Sequence, residues 1–348
     1  MLFTRHPDNP VLSPNTENSW ESQAVFNPAA VRWGGTTYLL YRAVGEYQYY
    51  ISRLGLAAAC DGADLQRVSD QPVFEPGADF EHWAVEDPRL TRIEDEFYLT
   101  YTAISQRILQ DGGPVTHREV PLEASVGLAV SKDLQHFDRL GTISLSRVDD
   151  KNAVLFPERI NGRYALLHRP QRWCRHWFDH PLASEIKIPL PSAVEDLPQL
   201  PAIWLSYSDD LLNWSDHQLV IEPTHQHDHR IGAGPPPIKT EAGWLLIYHH
   251  VEDKTSAGEE RERAYTAKAA LLDLNDPSQV IAQIPYDILA PQEWYEQEGD
   301  VANVIFPTGA YLEDDTLYLY YGAADKYCCL ATASWSELLS ELKKFRRR

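Results

Sequence analysis

The sequence predicts an all-β fold, a single five-bladed β-propeller over residues 1–348 ending in a short C-terminal helix at about 335–348. Three observations carry that expectation: a fivefold internal repeat, turn chemistry that recurs inside it, and a near absence of helical periodicity. Each repeat joins a proline, a connector, a turn and a strand that ends in an aromatic. The five are FNPAAVRWGGTTYLLYRA from Phe26, EDPRLTRIEDEFYLTYTA from Glu86, FPERINGRYALLHRP from Phe156, GPPPIKTEAGWLLIYHHV from Gly234 and FPTGAYLEDDTLYLYYGAAD from Phe306. Their prolines, Pro28, Pro88, Pro157, Pro236 and Pro307, lie 60 to 79 residues apart. That is the size of a blade of three or four antiparallel strands.

Within the repeats, Leu39, Leu99, Leu166, Leu246 and Leu319 share one column, and Tyr41, Tyr101, His168, Tyr248 and Tyr321 share the column two places on. The connectors hold Gly34-Gly35, Glu94-Asp95, Asn161-Gly162, Gly243 and Asp314-Asp315, residues suited to positive φ or Asx turns between strands. A third strand and turn follow each unit: LAAACDG from Leu56, LAVSKDL from Leu128, LSYSDDLLNW from Leu205, AALLDLND from Ala269 and LATASWSEL from Leu330. Asp273 reads as one of these turn residues. The helical exception is the tail from Trp335, where Leu338, Leu339 and Leu342 fit helical spacing and basic residues suit a helix C-terminus. A pair of β-sandwiches, the competing fold, would not produce five matched units.

Composition narrows the function. The 348 residues carry 31 Lys plus Arg against 51 Asp plus Glu, a formal net charge of −20. Nucleic acid and anionic membrane both demand a basic surface, so neither is expected as a partner. Ten Trp and 18 Tyr suit strands and also sugar-facing surfaces. Four cysteines form neither a disulfide framework nor a zinc motif. The N-terminus lacks a secretory apolar segment and no stretch is long enough to span a membrane, so a cytoplasmic location is expected. Dinucleotide, P-loop and nucleophile-elbow signatures are missing. The histidines of THQHDHR, 224–230, match no standard metal spacing. No cofactor and no metal are therefore expected.

Strand ends in a propeller converge on the axis, so the repeats are also read across. After the aromatic column come Arg42, Thr102, Arg169, His249 and Gly322; before the first two prolines stand Asn27 and Asp87. Arginine and histidine in one strand-end column are not routine packing. These segments, with KNAVLFPERINGRY, RIGAGPPPI and GDVANVIFPTG, resemble glycoside hydrolase family 130 from about Asn9 to Ser334. The family comprises β-mannoside phosphorylases and hydrolytic relatives on five-bladed propellers.

The resemblance implies an inverting β-mannoside phosphorylase that releases α-mannose 1-phosphate and a shortened acceptor from a β-mannosyl oligosaccharide or disaccharide. Asp87 would be the general acid, passing its proton through the 3-hydroxyl of the mannosyl unit. Neighbouring Glu86 would raise its pKa by like-charge repulsion, weakly, since alternate residues of an extended chain face opposite ways. The alternative has Asp87 structural, paired with Arg89. Asn27, Arg42, Arg53 and Asp325 would hold the mannosyl unit. Lys151, Asn152, Arg169, Arg230, His249 and Tyr265 would bind phosphate. Asp300 and Asn303 match a further motif.

The chemistry separates this reading from its rivals. Inverting hydrolysis needs a second carboxylate as base, whereas phosphate is already a nucleophilic anion and must be held by cations. A mannosidase would need such a base, Glu262 or Glu298 for example, and a mannan-binding propeller would need no acid. Lys151, Arg169 and Arg230 in an acidic chain favour an anionic co-substrate. The segment 171–201 is long for a link and is expected to cover the acceptor side or to form an oligomer contact; a homo-oligomer, the linkage cleaved and the acceptor sugar stay open.

Overall fold

The structure is a computed structural model that describes residues 2–106, 122–145, 147–184, 186–191, 197–224, 228–254 and 262–347, without the side chains of 106, 181, 182, 254 and 262. In chain order the strands are β1 (Thr4–Arg5), β2 (Ala24–Trp33), β3 (Thr36–Val44), β4 (Ser52–Ala59), β5 (Gln66–Arg67), β6 (Ala84–Ile93), β7 (Glu96–Gln106), β8 (Leu122–Ser131), β9 (Asp138–Thr142), β10 (Asp150–Leu155) and β11 (Tyr164–Pro170). After helix α1 (Arg175–Phe178) come β12 (Ile203–Ser208), β13 (Ser215–Ile221), β14 (Asp228–Ala233), β15 (Ile238–Thr240), β16 (Gly243–Lys254), β17 (Glu262–Leu272) and β18 (Val280–Gln283). Helix α2 (Trp294–Gln297), β19 (Ile305–Glu313), β20 (Thr316–Ala323), β21 (Tyr327–Ser334) and helix α3 (Trp335–Lys344) complete the chain.

Five antiparallel sheets result, with orders β2-β3-β4-β5, β6-β7-β8-β9, β10-β11-β12-β13, β14-β16-β17-β18 and β19-β20-β21-β1. The expected five-bladed propeller is therefore observed. The expected turns have the required backbone: φ is 58° and 80° at Gly34 and Gly35, 51° and 84° at Asn161 and Gly162, and 53° at Asp314. Asp273 is a turn residue as read, its carboxylate accepting from the Asn275 and Asp276 amides at 2.8 and 3.0 Å.

The leucine column is the core. Leu39, Leu99, Leu166, Leu246 and Leu319 are all at most 2% exposed. Each apolar layer is shared between adjacent blades: Leu39 and Tyr41 pack with Tyr320 and Leu330, and Ala29 and Leu40 with Leu90 and Leu99. A fully buried leucine contributes about 1.5–3 kcal/mol, so the layers weld the blades into a ring.

Three details depart from the repeat. In the third blade Leu155 pairs with Leu166, as Ala30 does with Leu39 and Leu90 with Leu99. The residue equivalent to Asn27 and Asp87 is then Asn152, and Pro157 lies past the end of β10, whereas Pro28 and Pro88 lie within β2 and β6. In the fourth blade the inner strand is split into β14 and β15 around Gly234-Pro235-Pro236-Pro237, since proline has no N–H for the ladder. The fifth blade takes its outer strand from the N-terminus, with Thr4 opposite Thr332 and Arg5 opposite Ala331.

Helix α3 begins where expected. Its Ser334 side chain accepts from the Glu337 amide at 3.2 Å, an N-cap. Leu338 and Leu342 are fully buried against the fourth and fifth blades. It stops at Lys344 rather than 348 because the chain turns at Phe345 and joins a strand edge: Arg346 bridges to Ala282, and the Arg347 amide donates to the Ile281 carbonyl at 2.9 Å. Among the described residues no helix is long and apolar enough to cross a membrane.

Candidate active site

The inner strands of the first three blades carry a bulge at the same place, between Phe26 and Ala29, Glu86 and Arg89, and Lys151 and Val154. The extra residue lies in the left-handed region: φ is 48° at Asn27, 49° at Asp87 and 54° at Asn152. A bulge re-aims its side chain, so three polar groups leave the alternating pattern and turn towards the axis. They meet in a cavity of about 440 Å³ with Arg42, Tyr50, Glu86, Lys151, Arg169, Arg230, Tyr265, Asp300 and Asp325.

Asp87 lies at its centre. Its Oδ1 accepts from Asn27 Nδ2 at 2.8 Å and from Arg42 Nη1 at 3.1 Å. Its Oδ2 has no hydrogen-bond partner among the described residues, which leaves that oxygen for a ligand. Burial acts to raise the carboxyl, but the Arg42 and Arg89 guanidiniums, the Asn27 amide and Lys151 together hold it below its usual value. The carboxyl is thus lowered where a rise was expected, because the neighbouring cations dominate. The bulge also removes the expected opposition of the two side chains, because Glu86 Oε1 accepts from Arg42 Nη2 at 2.6 Å while Asp87 binds Nη1 of the same guanidinium. Glu86 thereby spends its charge on Arg42. The carboxyl that does rise is Asp325, pushed to about 7 by burial against the opposing pull of Arg42, with Asp87, Asp300 and Glu86 adding to the rise.

Arg89 is fully buried beneath Asp87 and spans the axis. Its Nη1 donates to the Asp87 carbonyl at 2.8 Å, and its Nε to the Gly234 carbonyl of the fourth blade at 2.6 Å. Burial lowers it to about 10, with the charge on Asp87 pulling the other way. Its bonds are to backbone, so it braces Asp87 and does not pair with its carboxylate in the way the structural alternative supposed.

The cationic side of the cavity is built by the third and fourth blades. Arg169 and Arg230 form no ion pair with a carboxylate among the described residues. Arg169 is 5% exposed and its Nη1 lies 3.0 Å from His249 Nε2. A guanidinium only donates, so His249 accepts there as a neutral ring. Burial and the neighbouring Arg169, Arg89 and Arg230 keep it well below its ordinary pKa. Burial and the Arg230 charge lower Arg169 to about 9. Arg230 Nη2 donates to Tyr265 Oη at 2.5 Å.

Two expected residues stand elsewhere. Arg53 does not line the cavity; its Nε reaches Glu75 at 3.4 Å, because it sits one residue out of phase with its neighbour Leu54 at the strand edge. His249 is fully buried behind Arg169 and supports it instead of lining the pocket. The sequence reading missed Tyr50, which lines the cavity, holds φ at 56° and donates to Asp300 Oδ2 at 2.7 Å. Its one signal was its place in the aromatic run Tyr47 to Tyr50. Asp300 is thus in the wall, and Asn303 acts through its backbone, its carbonyl accepting from the Tyr265 amide at 2.9 Å. Two glycines make room: a Cβ at Gly322 would lie 1.8 Å from Asn27 Oδ1, and one at Gly232 would lie 2.5 Å from His249 Cε1.

No described residue of 171–201 lines the cavity. Trp173 is fully buried and packs on Trp204 and His217 of the third blade. Glu298 is exposed and away from the cavity, the Glu262 side chain lies outside the described residues, and so do residues 225–227 of the histidine run. Among the described residues no cluster of three or more potential metal ligands occurs.

Comparison with known proteins gives this arrangement a context. The family model for glycoside hydrolase family 130, described as β-1,4-mannooligosaccharide phosphorylase, matches residues 3–344. A 1,2-β-oligomannan phosphorylase of Thermoanaerobacter sp. (strain X514) is 38% identical over 330 residues, covering 92% of this chain and 93% of the relative. A β-1,2-mannobiose phosphorylase of the same strain is 35% identical, covering 94% of this chain and 96% of the relative. The solved structure of the Listeria innocua β-1,2-mannobiose phosphorylase with β-1,2-mannobiose superposes with a TM-score of 0.75 at 27% identity, covering 99% and 100% of the two chains. The chain belongs to glycoside hydrolase family 130, the family of the β-mannoside phosphorylases.

Proposed function

We propose that this protein is an inverting β-mannoside phosphorylase acting on a terminal β-1,2-mannosyl linkage. The observation that carries the proposal is the pair Arg169 and Arg230, lining the cavity beside Asp87 without carboxylate partners among the described residues. Burial and the Arg230 charge already weaken the protonated form of Arg169, so an anion beside both would relieve them, and phosphate accepts their bidentate donors. The preference for the 1,2-linkage rests on the relatives named above.

In this reading phosphate sits on Lys151, Asn152, Arg169, Arg230 and Tyr265, with His249 holding Arg169 in place. The mannosyl unit lies against Asn27, Arg42 and Asp325. A phosphate oxygen attacks the anomeric carbon from the face opposite the leaving group. The bond to the acceptor oxygen breaks, and the proton that oxygen needs comes from Asp87 Oδ2 by way of the sugar 3-hydroxyl. The products are α-mannose 1-phosphate and the shortened acceptor. Occupation by a phosphate dianion would also offset the cations that depress Asp87, which returns its carboxyl towards the protonated form an acid requires.

The test is incubation with β-1,2- and β-1,4-mannobiose, with and without inorganic phosphate. Mannose 1-phosphate formed from the 1,2-linked sugar only when phosphate is present is the expected result. Free mannose released regardless of phosphate would replace the proposal with a hydrolase. Asp87→Asn is expected to lower kcat/KM by at least about 10²-fold, the usual worth of a positioned acid.

A further inference from the structure

Among the described residues, Glu86 is the one carboxylate that touches cations from both neighbouring blades. Its Oε1 accepts from Arg42 of the first blade at 2.6 Å, and its Oε2 lies 3.4 Å from Lys151 Nζ of the third. Its side chain is 15% exposed, as against 8% for Arg42 and 26% for Lys151. The Arg42 contact is short and well buried, while the Lys151 contact is longer and wetter. Arg42 belongs to the sugar side of the cavity and Lys151 to the phosphate side. Glu86 thus joins the two halves of the site.

We propose that Glu86 is a positioning residue that fixes Arg42 for the mannosyl unit and restrains Lys151 until phosphate displaces it. This rests on the phosphorylase reading above. Phosphate and Glu86 are both anions within reach of one ammonium group, so they compete for it. A like charge at this distance also weakens phosphate binding directly. Arg42 gains the opposite effect: its Nη2 is locked while Nη1 remains on Asp87, and its planar fork presents a fixed surface to sugar hydroxyls. The native enzyme therefore gives up phosphate affinity in return for an ordered sugar site.

The two substrates consequently respond in opposite directions. In Glu86→Gln the KM for phosphate is expected to fall about three- to tenfold and the KM for β-mannobiose to rise by a similar factor, since one charge contact is worth roughly 1 kcal/mol. Glu86→Asp keeps the charge on a shorter arm that cannot reach both cations; its phosphate KM stays within about twofold of the native value while the mannobiose KM rises. A merely structural role would shift both constants the same way or lower kcat alone, and either result overturns the proposal, as does no change in either constant. Isothermal titration with inorganic phosphate, on native protein and both variants, gives the phosphate comparison independently of turnover. Lys151→Met separates the two levels of the argument. If it leaves phosphate affinity unchanged, the placement of phosphate is wrong; if it weakens phosphate while Glu86→Gln does not strengthen it, only the role of Glu86 fails.

Discussion

Asn27, Asp87 and Asn152 owe their position to one backbone event, an extra residue at positive φ in an inner strand. Asn and Asp tolerate that conformation better than other residues with a Cβ, which links the side chain that chemistry needs to the backbone that delivers it. Asp325 shares the geometry, with φ of 49°. Its folded pKa is about 7, raised by burial from an ordinary carboxyl value. The folded state thus binds a proton that the unfolded state has lost between about pH 4 and pH 7, and its contribution to stability declines as pH rises through that window. Asp325→Asn removes the titration and keeps the turn. Its Tm is expected to exceed that of the native protein at pH 8 by the equivalent of about 1–3 kcal/mol, with the difference vanishing near pH 4. Thermal melts across pH check it, and a constant difference would reject it. Asp87 and Asp325 were both legible as site residues, but their ionisation was not. It depends on which carboxylate Arg42 grips, and that is set by a bulge invisible in the alternation of residues.

Between residue and ring lies a repeated latch. Three blades bury a glutamate that accepts from the tyrosine of the second strand and pairs with an arginine of the fourth. Glu21 takes Tyr41 at 2.9 Å and Arg67 at 2.8 Å, Glu296 takes Tyr321 at 2.8 Å and Arg5 at 2.7 Å, and Glu81 takes Tyr101 and Arg139. All three carboxylates are fully buried. The third and fourth blades replace the latch: His168 pairs with Asp150 at 2.7 Å, and Tyr248 accepts from Gln283 at 2.8 Å. Removing one partner of a buried charge pair strands the other. Glu21→Ala is therefore expected to cost about 3–5 kcal/mol, against about 1 kcal/mol for Tyr41→Phe, which loses a hydrogen bond and keeps the ion pair. Urea unfolding of the two variants measures the gap. The tyrosine column was plain in the sequence because it recurs at a fixed place after leucine. The glutamates were not, because they come from links whose length varies, as at Trp20-Glu21 and Tyr295-Glu296. The same variability concealed β5 and β1, two residues long each.

At the scale of the molecule the last blade is completed by the N-terminal segment, whose Thr4 and Arg5 pair with Thr332 and Ala331 and whose His6 and Leu12 amides donate to the Leu330 and Cys328 carbonyls at 2.9 and 3.2 Å. Arg5 donates to Glu296 and to the Ala290 carbonyl at 2.7 Å, so the first strand carries the latch of the last blade. Deleting residues 2–5 opens that blade and leaves a buried carboxylate unpaired. A fall in Tm equivalent to more than the ~3–5 kcal/mol of a stranded buried charge is expected, because buried Phe3 is lost as well; Arg5→Ala should account for only part of it, and calorimetry on both variants decides whether the charge or the apolar contact dominates. Five blades could be counted from the sequence because each repeats its own core positions. The closure could not, because the closing strand resembles none of the units and pairs with a segment over 300 residues away in the chain.

Arg89 gives the ring a further property. It is fully buried and ties the second blade to the fourth across the axis, while residues of all five blades line a further cavity of about 510 Å³. A charged spoke thus stands where the inner strands converge, bonded to the Asp87 and Gly234 carbonyls. Under the proposed phosphorolysis, donor sugar, phosphate and both products would share the cavity that Asp87 lines. The tie holds the wall that carries Asp87 in register with the wall that carries Arg230, so the chamber between them keeps one width.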